Sequence, residues 1–232
     1  MKTIGLIGGL SWQSTIDYYR FMNMEVLKRT NGKHEAKIII DSVDFGEVEA
    51  FMKKKDFEGI RAMMVKSAQR LEKAGADLVM IGANTMHFAA ETVREAIRVP
   101  LVSIMDATIE DIRAKSLTRV GLLGTKITME EVFFKQKLID SGIDVIVPEK
   151  EDREFIHHTI FSELFIAAII PETKKRYLTI MDGLARDGAQ GIVLGCTEIP
   201  LLIKQKDTVL PVFDTTEIHA LAAVEMALRN EK

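Results

Sequence analysis

Two short segments hold most of the residues that could do chemistry. One reads Gly82-Ala83-Asn84-Thr85-Met86-His87 and the other Gly195-Cys196-Thr197-Glu198-Ile199-Pro200. Cys196 is the only cysteine in the chain, and its reactive form would be the thiolate. Asn84, Thr85 and Thr197 carry amide and hydroxyl donors suited to a carboxylate. Each segment leads into a predicted helix start, whose N–H groups and positive dipole end favour an anion. The same field would lower a cysteine pKa below its free value of about 8.5. The alternative is a cysteine acting as a small buried apolar residue, with threonines that cap helices.

Other candidates rank below these two segments. Gly5-Leu6-Ile7-Gly8-Gly9-Leu10-Ser11 lacks the spacing of a dinucleotide site, and Gly121-Leu122-Leu123-Gly124-Thr125-Lys126 is not a phosphate-binding loop. Both would let a loop approach a small ligand closely, with Leu10 and Ser11 in one and Thr125 and Thr128 in the other. N-capping is an equal reading for the hydroxyls. His157 and His158 precede an apolar stretch and read as surface residues. Asp41 and Asp44 close a strand and read as turn residues. Lys53, Lys54 and Lys55 read as a solvated loop, and Met52 beside them would matter if that loop covers a ligand. His34, His87, His157, His158 and His219 show no metal-ligand spacing.

Positioning these segments requires strands and helices, and both are legible. Ile4–Ile7, Lys37–Ile40, Leu78–Ile81, Leu101–Ile104, Val120–Leu123, Val145–Val147, Ile192–Leu194 and Val209–Phe213 are short apolar runs. They lack in/out alternation, which suits a parallel sheet covered on both faces. Helical spacing lies between them: in 56–74, Ile60, Met63, Met64, Ala68 and Leu71 share one face. Gly75 and Gly142 stand where such helices stop. The pattern predicts an α/β, doubly wound fold.

The chain also repeats itself. Ile4-Gly-Leu-Ile-Gly-Gly9 returns as Val120-Gly-Leu-Leu-Gly-Thr125, Leu71–Ala83 matches Leu184–Cys196 without a gap, and Val99–Val102 matches Leu210–Phe213. The offsets are 116, 113 and 111 residues, in order and nearly constant. Two lobes are therefore expected, 1–98 plus 209–232 and 99–208, with a ligand cleft between them. Ala83 and Cys196 would stand at equivalent strand tips, where α/β sheets bind ligands.

Composition bounds the rest. The chain has 232 residues, 47% hydrophobic and 28% charged, which is ordinary for a globular protein. Its 31 basic and 34 acidic residues give a net charge of −3, which argues against a nucleic-acid partner. One cysteine excludes an internal disulfide. The first apolar run is too short for a membrane helix and lacks a signal-cleavage site. No membrane partner and a cytoplasmic location are expected.

Met1-Lys-Thr-Ile-Gly-Leu-Ile-Gly-Gly-Leu-Ser-Trp12, Asn84-Thr85-Met86-His87, Gly195-Cys196-Thr197-Glu198 and Leu210-Pro-Val-Phe-Asp214 together resemble the aspartate/glutamate racemase family. The likeness runs nearly the full length and is nearest the branch of bacterial aspartate and broad-specificity enzymes. It implies two Rossmann-like lobes, the C-terminal segment returning to the first, a homodimer, and catalysis with no cofactor, pyridoxal phosphate included. It also implies two cysteines flanking the substrate's α-carbon, one removing a proton and the other delivering one. Asn84, Thr85 and Thr197 would hold the α-carboxylate, with Thr125 and Thr128 contributing from the second lobe.

The sequence departs from that pattern twice. Position 83, where the first cysteine belongs, is alanine, and a methyl group transfers no proton. Three explanations stand open: an engineered inactive variant, a natural variant working on one enantiomer, or a reaction needing one thiol, such as a decarboxylation or another isomerisation. A carboxylate-binding protein without activity is a further alternative. The second departure is in side-chain recognition. Phe165 and Met52 stand where relatives selective for aspartate would place polar contacts, and an unpaired carboxylate against them would be costly. A broader or more apolar substrate range than aspartate is expected.

Overall fold

The structure, a computed structural model, describes residues 1–229. The chain runs β1 (Ile4–Gly8), α1 (Trp12–Arg29), β2 (Ile38–Ser42), α2 (Phe45–Lys53), α3 (Phe57–Lys73), β3 (Leu78–Ile81), α4 (Ala90–Ala96), β4 (Leu101–Val102) and α5 (Ile104–Ala114). It continues with β5 (Arg119–Gly124), α6 (Lys126–Glu130), α7 (Val132–Asp140), β6 (Asp144–Ile146), α8 (Lys150–Ser162) and α9 (Pro171–Arg186). Last come β7 (Ile192–Gly195), α10 (Ile199–Leu202), β8 (Val212–Asp214) and α11 (Thr215–Leu228). All eight expected strands are present, and α/β is the fold class.

Two compact units form, one from Met1–Ala107 plus the segment from Thr216 onward, the other Thr108–Thr215. The first has a parallel sheet in the order β2-β1-β3-β4, the second a parallel sheet in the order β6-β5-β7-β8. The expected boundaries at 98/99 and 208/209 are corrected by this pairing. Val102 of β4 lies beside Met80 of β3, and Phe213 of β8 beside Val193 of β7, so each short strand stays with the sheet that precedes it. The chain crosses between units inside α5 and at the start of α11 instead.

The duplication extends to strand register. Ile7 faces Ile81 in the first sheet and Leu123 faces Leu194 in the second; the sequence offsets carry one pair onto the other. Ile4–Ile38 likewise corresponds to Val120–Val145, and Val79–Leu101 to Ile192–Val212.

The inner strands β1, β3 and β7 are apolar and buried at every residue because both of their faces are covered. In the first unit Ile7, Val79 and Ile81 pack with Met64, Ala68 and Leu71 of α3. Ile4, Leu6, Leu78 and Met80 point the other way, onto Tyr18, Met22 and Val26 of α1 and Ala220, Ala223 and Val224 of α11. In the second unit Leu123, Ile192 and Leu194 pack with Ile156 and Ile160 of α8 and Tyr177, Ile180 and Leu184 of α9. Each fully buried Leu or Ile contributes about 1.5–3 kcal/mol by leaving water.

Local chemistry sets the element ends. Ser11, Asp44 and Asp56 accept backbone N–H bonds at the starts of α1, α2 and α3. Gly75 and Gly142 adopt positive φ just after α3 and α7, as expected of helix stops. Asp41 does more than close a strand: it accepts from Ser67 and pairs with Arg70 of α3 at 2.5 Å. Gly9, with φ of +75°, turns the chain from β1 toward α1; a Cβ there would lie 2.0 Å from the Val43 carbonyl oxygen.

Candidate active site

The first strand tip follows β3. Gly82 is required there, since a Cβ would come 2.9 Å from the carbonyl oxygen of Ile7 on the adjacent strand. Ala83 comes next, half-buried and packed on the apolar cluster that contains Leu10 and against which Met52 of α2 also packs. Asn84 is buried, and Thr85 opens a 3₁₀ turn over Thr85–Ala89. Ser11 sits in the neighbouring loop, buried and committed to capping: it accepts from the N–H of Ser14 at 3.3 Å and donates to Gln13 at 3.0 Å.

Behind this tip lie two buried imidazoles. His87 Nδ1 is 2.7 Å from the carbonyl oxygen of Ala83, and its Nε2 accepts from the N–H of Ile104 at 3.1 Å. His219, on α11, lies 2.9 Å from the Tyr18 hydroxyl and 3.0 Å from the Val102 carbonyl. Burial, reinforced by the nearby His87, lowers the His219 pKa from 6.5 to about 3. A base whose folded pKa is depressed stabilises the fold fully above its unfolded pKa and loses that contribution as the pH falls. Acidification from 6.5 toward 3 is therefore expected to cost up to about 1.4 kcal/mol per pH unit through this residue. Urea unfolding across that range measures it, and a His219→Gln variant should show a shallower slope than the parent. Equal slopes would assign the acid sensitivity to other groups.

The second tip follows β7 in the same way. A Cβ on Gly195 would lie 2.9 Å from the Leu123 carbonyl oxygen, the counterpart of the Gly82 contact. Cys196 is buried and packs in the cluster with Leu194, Tyr177 and Ile160. Its Sγ–H donates to Oε2 of Glu198 at 2.9 Å, and the Thr197 hydroxyl lies 3.0 Å from both carboxylate oxygens. Glu198 is itself buried, at 2% exposure. Burial first, and the Glu198 charge second, push the Cys196 thiol well above its ordinary pKa. The sequence expectation of a lowered pKa is thus reversed. α10 is only four residues long, and its nearby N–H groups do not offset the loss of solvent and the adjacent carboxylate.

Around this tip the remaining predicted residues take defined places. Gly124 pairs with Gly195, so the loop after β5 runs beside the Cys196 turn. In that loop Thr125 caps α6, accepting from the Thr128 N–H at 3.3 Å, with the two hydroxyls 3.1 Å apart. His157 is half-buried rather than a surface residue, and its Nδ1 accepts from the Lys126 N–H at 3.2 Å. Burial and Lys126 lower its pKa, keeping it in that acceptor form. His158 is exposed. Phe165 lies in the 3₁₀ turn Leu164–Ile166, packed on the Cys196 cluster and stacked on Phe161 at 5.4 Å. Sequence reasoning gives Glu198 and His87 no role and reads His157 as a surface residue. Glu198 alone carried a signal, an acid two residues beyond the thiol.

Among the described residues no group of three His, Cys, Asp or Glu could hold a metal, and no helix is long and apolar enough to cross a membrane.

Residues 7–223 match the family model described as Asp/Glu/Hydantoin racemase. The chain belongs to this family. A solved structure of a candidate Asp/Glu racemase from Yersinia pestis is 43% identical, with a TM-score of 0.92, covering 99% of this chain and 100% of that one. An aspartate racemase homologue from Pyrococcus horikoshii is 36% identical, with a TM-score of 0.86 and coverage of 99% and 100%. RacX of Bacillus subtilis, named a broad specificity amino-acid racemase, is 22% identical over 75% of this chain and 74% of its own length. The two solved structures share the fold of this chain over 99% of its length.

Proposed function

We propose that this member of the Asp/Glu racemase family is a cofactor-independent enzyme that moves the α-proton of an amino acid with Cys196 alone. The observation that carries the reading is the buried Sγ–H···Oε2 bond of 2.9 Å from Cys196 to Glu198, at a strand tip whose counterpart is Ala83. In the proton-removing direction, Glu198 takes the Sγ proton as the sulfur takes the substrate's α-proton; the reverse transfer returns both. In this reading Asn84, Thr85 and Thr197 are the carboxylate ligands, and Leu10, Ser11, Thr125 and Thr128 are further substrate contacts. Met52 and Phe165 are apolar contacts for the side chain, which supports a range wider than aspartate. Ala83 supports a one-sided reaction: exchange at one enantiomer, with racemisation slow. The reading includes assembly as a homodimer, which sedimentation of the purified chain tests.

The deciding experiment follows the α-proton by NMR in heavy water with L- and D-aspartate and with L- and D-methionine. Exchange at one enantiomer is the expected result. Carboxylate binding without exchange would leave a binding protein, and exchange of neither with carbon dioxide release from an arylmalonate would leave a decarboxylase. A Glu198→Gln substitution separates the two roles of that residue. Removing its charge lowers the Cys196 pKa, so alkylation by iodoacetamide should accelerate at pH 7. Exchange should fall about 100-fold, because the proton acceptor is gone. If exchange rises along with alkylation, Glu198 is no proton acceptor.

A further inference from the structure

The carbonyl of Ala83 is held in an unusual way. In an α-helical turn it would accept from the backbone N–H of residue 87. Here that N–H goes instead to the carbonyl of Asn84, at 3.0 Å, in a 3₁₀ turn. The His87 side chain takes its place, with Nδ1 2.7 Å from the Ala83 oxygen. The ring's other nitrogen receives the N–H of Ile104 at 3.1 Å, so Nε2 carries no proton and the donor to Ala83 is Nδ1–H. A doubly protonated ring would set Nε2–H against the Ile104 N–H.

His219 fixes the ring's surroundings with the opposite tautomer. Its Nε2–H donates to the Val102 carbonyl, and its Nδ1 accepts from the Tyr18 hydroxyl. The two rings meet edge to face, with centroids 5.6 Å apart. His87 is 4% exposed and His219 is fully buried. The pair thus joins the tip after β3 to the end of β4, to α1, and to the first turns of α5 and α11, the two helices at which the chain passes between units.

The peptide between Ala83 and Asn84 is planar and trans, like every peptide described, so its C=O and N–H point in opposite directions. Fixing the carbonyl on His87 fixes the Asn84 N–H on the far side, away from the imidazole. We propose that His87 is a positioning residue, which as the Nδ1–H tautomer turns the Asn84 N–H to donate to the substrate's carboxylate. This rests on the carboxylate-binding role given to Asn84 above. The second tip is built differently. Pro200 stands at the position equivalent to His87, and the Cys196 carbonyl accepts from the backbone N–H of Ile199 at 3.2 Å. The tip without a thiol is the one whose peptide is clamped by a side chain.

Two substitutions separate the two bonds of His87. The amide nitrogen of Asn falls near Nδ1, so His87→Asn retains the donor to Ala83; His87→Gln reaches only the Nε2 place and retains the acceptor for Ile104. Exchange kinetics in heavy water, with aspartate and methionine as probes, should give His87→Gln a KM raised at least tenfold with kcat within about threefold of the parent. His87→Asn should hold KM within about threefold, although both lose thermal stability. Equal KM values in the two variants would overturn the positioning role. A parent that neither binds nor exchanges either amino acid would instead overturn the proposed function, and this role with it. Ring ¹⁵N NMR on the unsubstituted protein provides a measurement independent of folding defects: His87 should be protonated at Nδ1 and His219 at Nε2, and an Nε2–H tautomer at His87 would refute the clamp.

Discussion

Ala83→Cys is expected to raise the racemisation rate by about 10² to 10⁴-fold, the usual contribution of one well-placed acid–base group. In the two-base scheme that the family resemblance implies, position 83 serves the face of the α-carbon that Cys196 does not. With alanine there, the proton for that face must come from water, without orientation or a matched pKa. The surroundings suit a thiol. Ala83 is half-buried at the end of β3, already directs a Cβ from a tip held by Gly82 and His87, and needs only one further atom. The larger side chain should therefore leave the melting temperature nearly unchanged. Polarimetry, or enantiomer-resolved chromatography of aspartate and methionine, measures the gain. A folded Ala83→Cys protein that racemises no faster than its parent would remove position 83 from the reaction, and a gain confined to aspartate would refute the wider substrate range read from Met52 and Phe165.

Cys196→Ser should have the largest opposite effect, lowering α-proton exchange by at least about 10³-fold while leaving the fold in place. Serine retains the donor to Glu198 and nearly fills the sulfur's volume, so the buried carboxylate keeps its partner and the cost of stranding it is avoided. What is removed is acidity: a hydroxyl gives up its proton far less readily than a thiol. Exchange by NMR on enzyme shown to be folded by near-ultraviolet circular dichroism is the measurement. Undiminished exchange in Cys196→Ser would move the chemistry to another group altogether.

The inner parallel strands were legible because burial on both faces writes β1, β3 and β7 as short, continuous apolar runs. The duplication was legible too, and offsets of 116, 113 and 111 correspond to actual register pairs such as Ile7–Ile81 and Leu123–Leu194. The unit boundaries were not. Which sheet a two-residue strand such as Leu101–Val102 joins is decided by hydrogen bonds to residues far along the chain, and its own apolar character suits either sheet. The state of the Cys196 thiol was misjudged for a similar reason. A predicted helix start says nothing of helix length or of how completely the tip is buried, and these decide the sign. His87 and His157 went unrecognised because a histidine bound to backbone groups has no characteristic spacing; its partners, Ala83, Ile104 and Lys126, are defined only in three dimensions.

The protonated state of Cys196 bears on how the protein withstands oxidants. Peroxide and other electrophiles attack thiolates, and a buried thiol held in its acid form by lost solvation and a neighbouring anion is a poor target. With no second cysteine in the sequence, a sulfenic acid formed there would also find no partner in its own chain with which to condense into a disulfide. The Cys196 thiol is therefore expected to oxidise slowly, which mass spectrometry of the peroxide-treated protein measures.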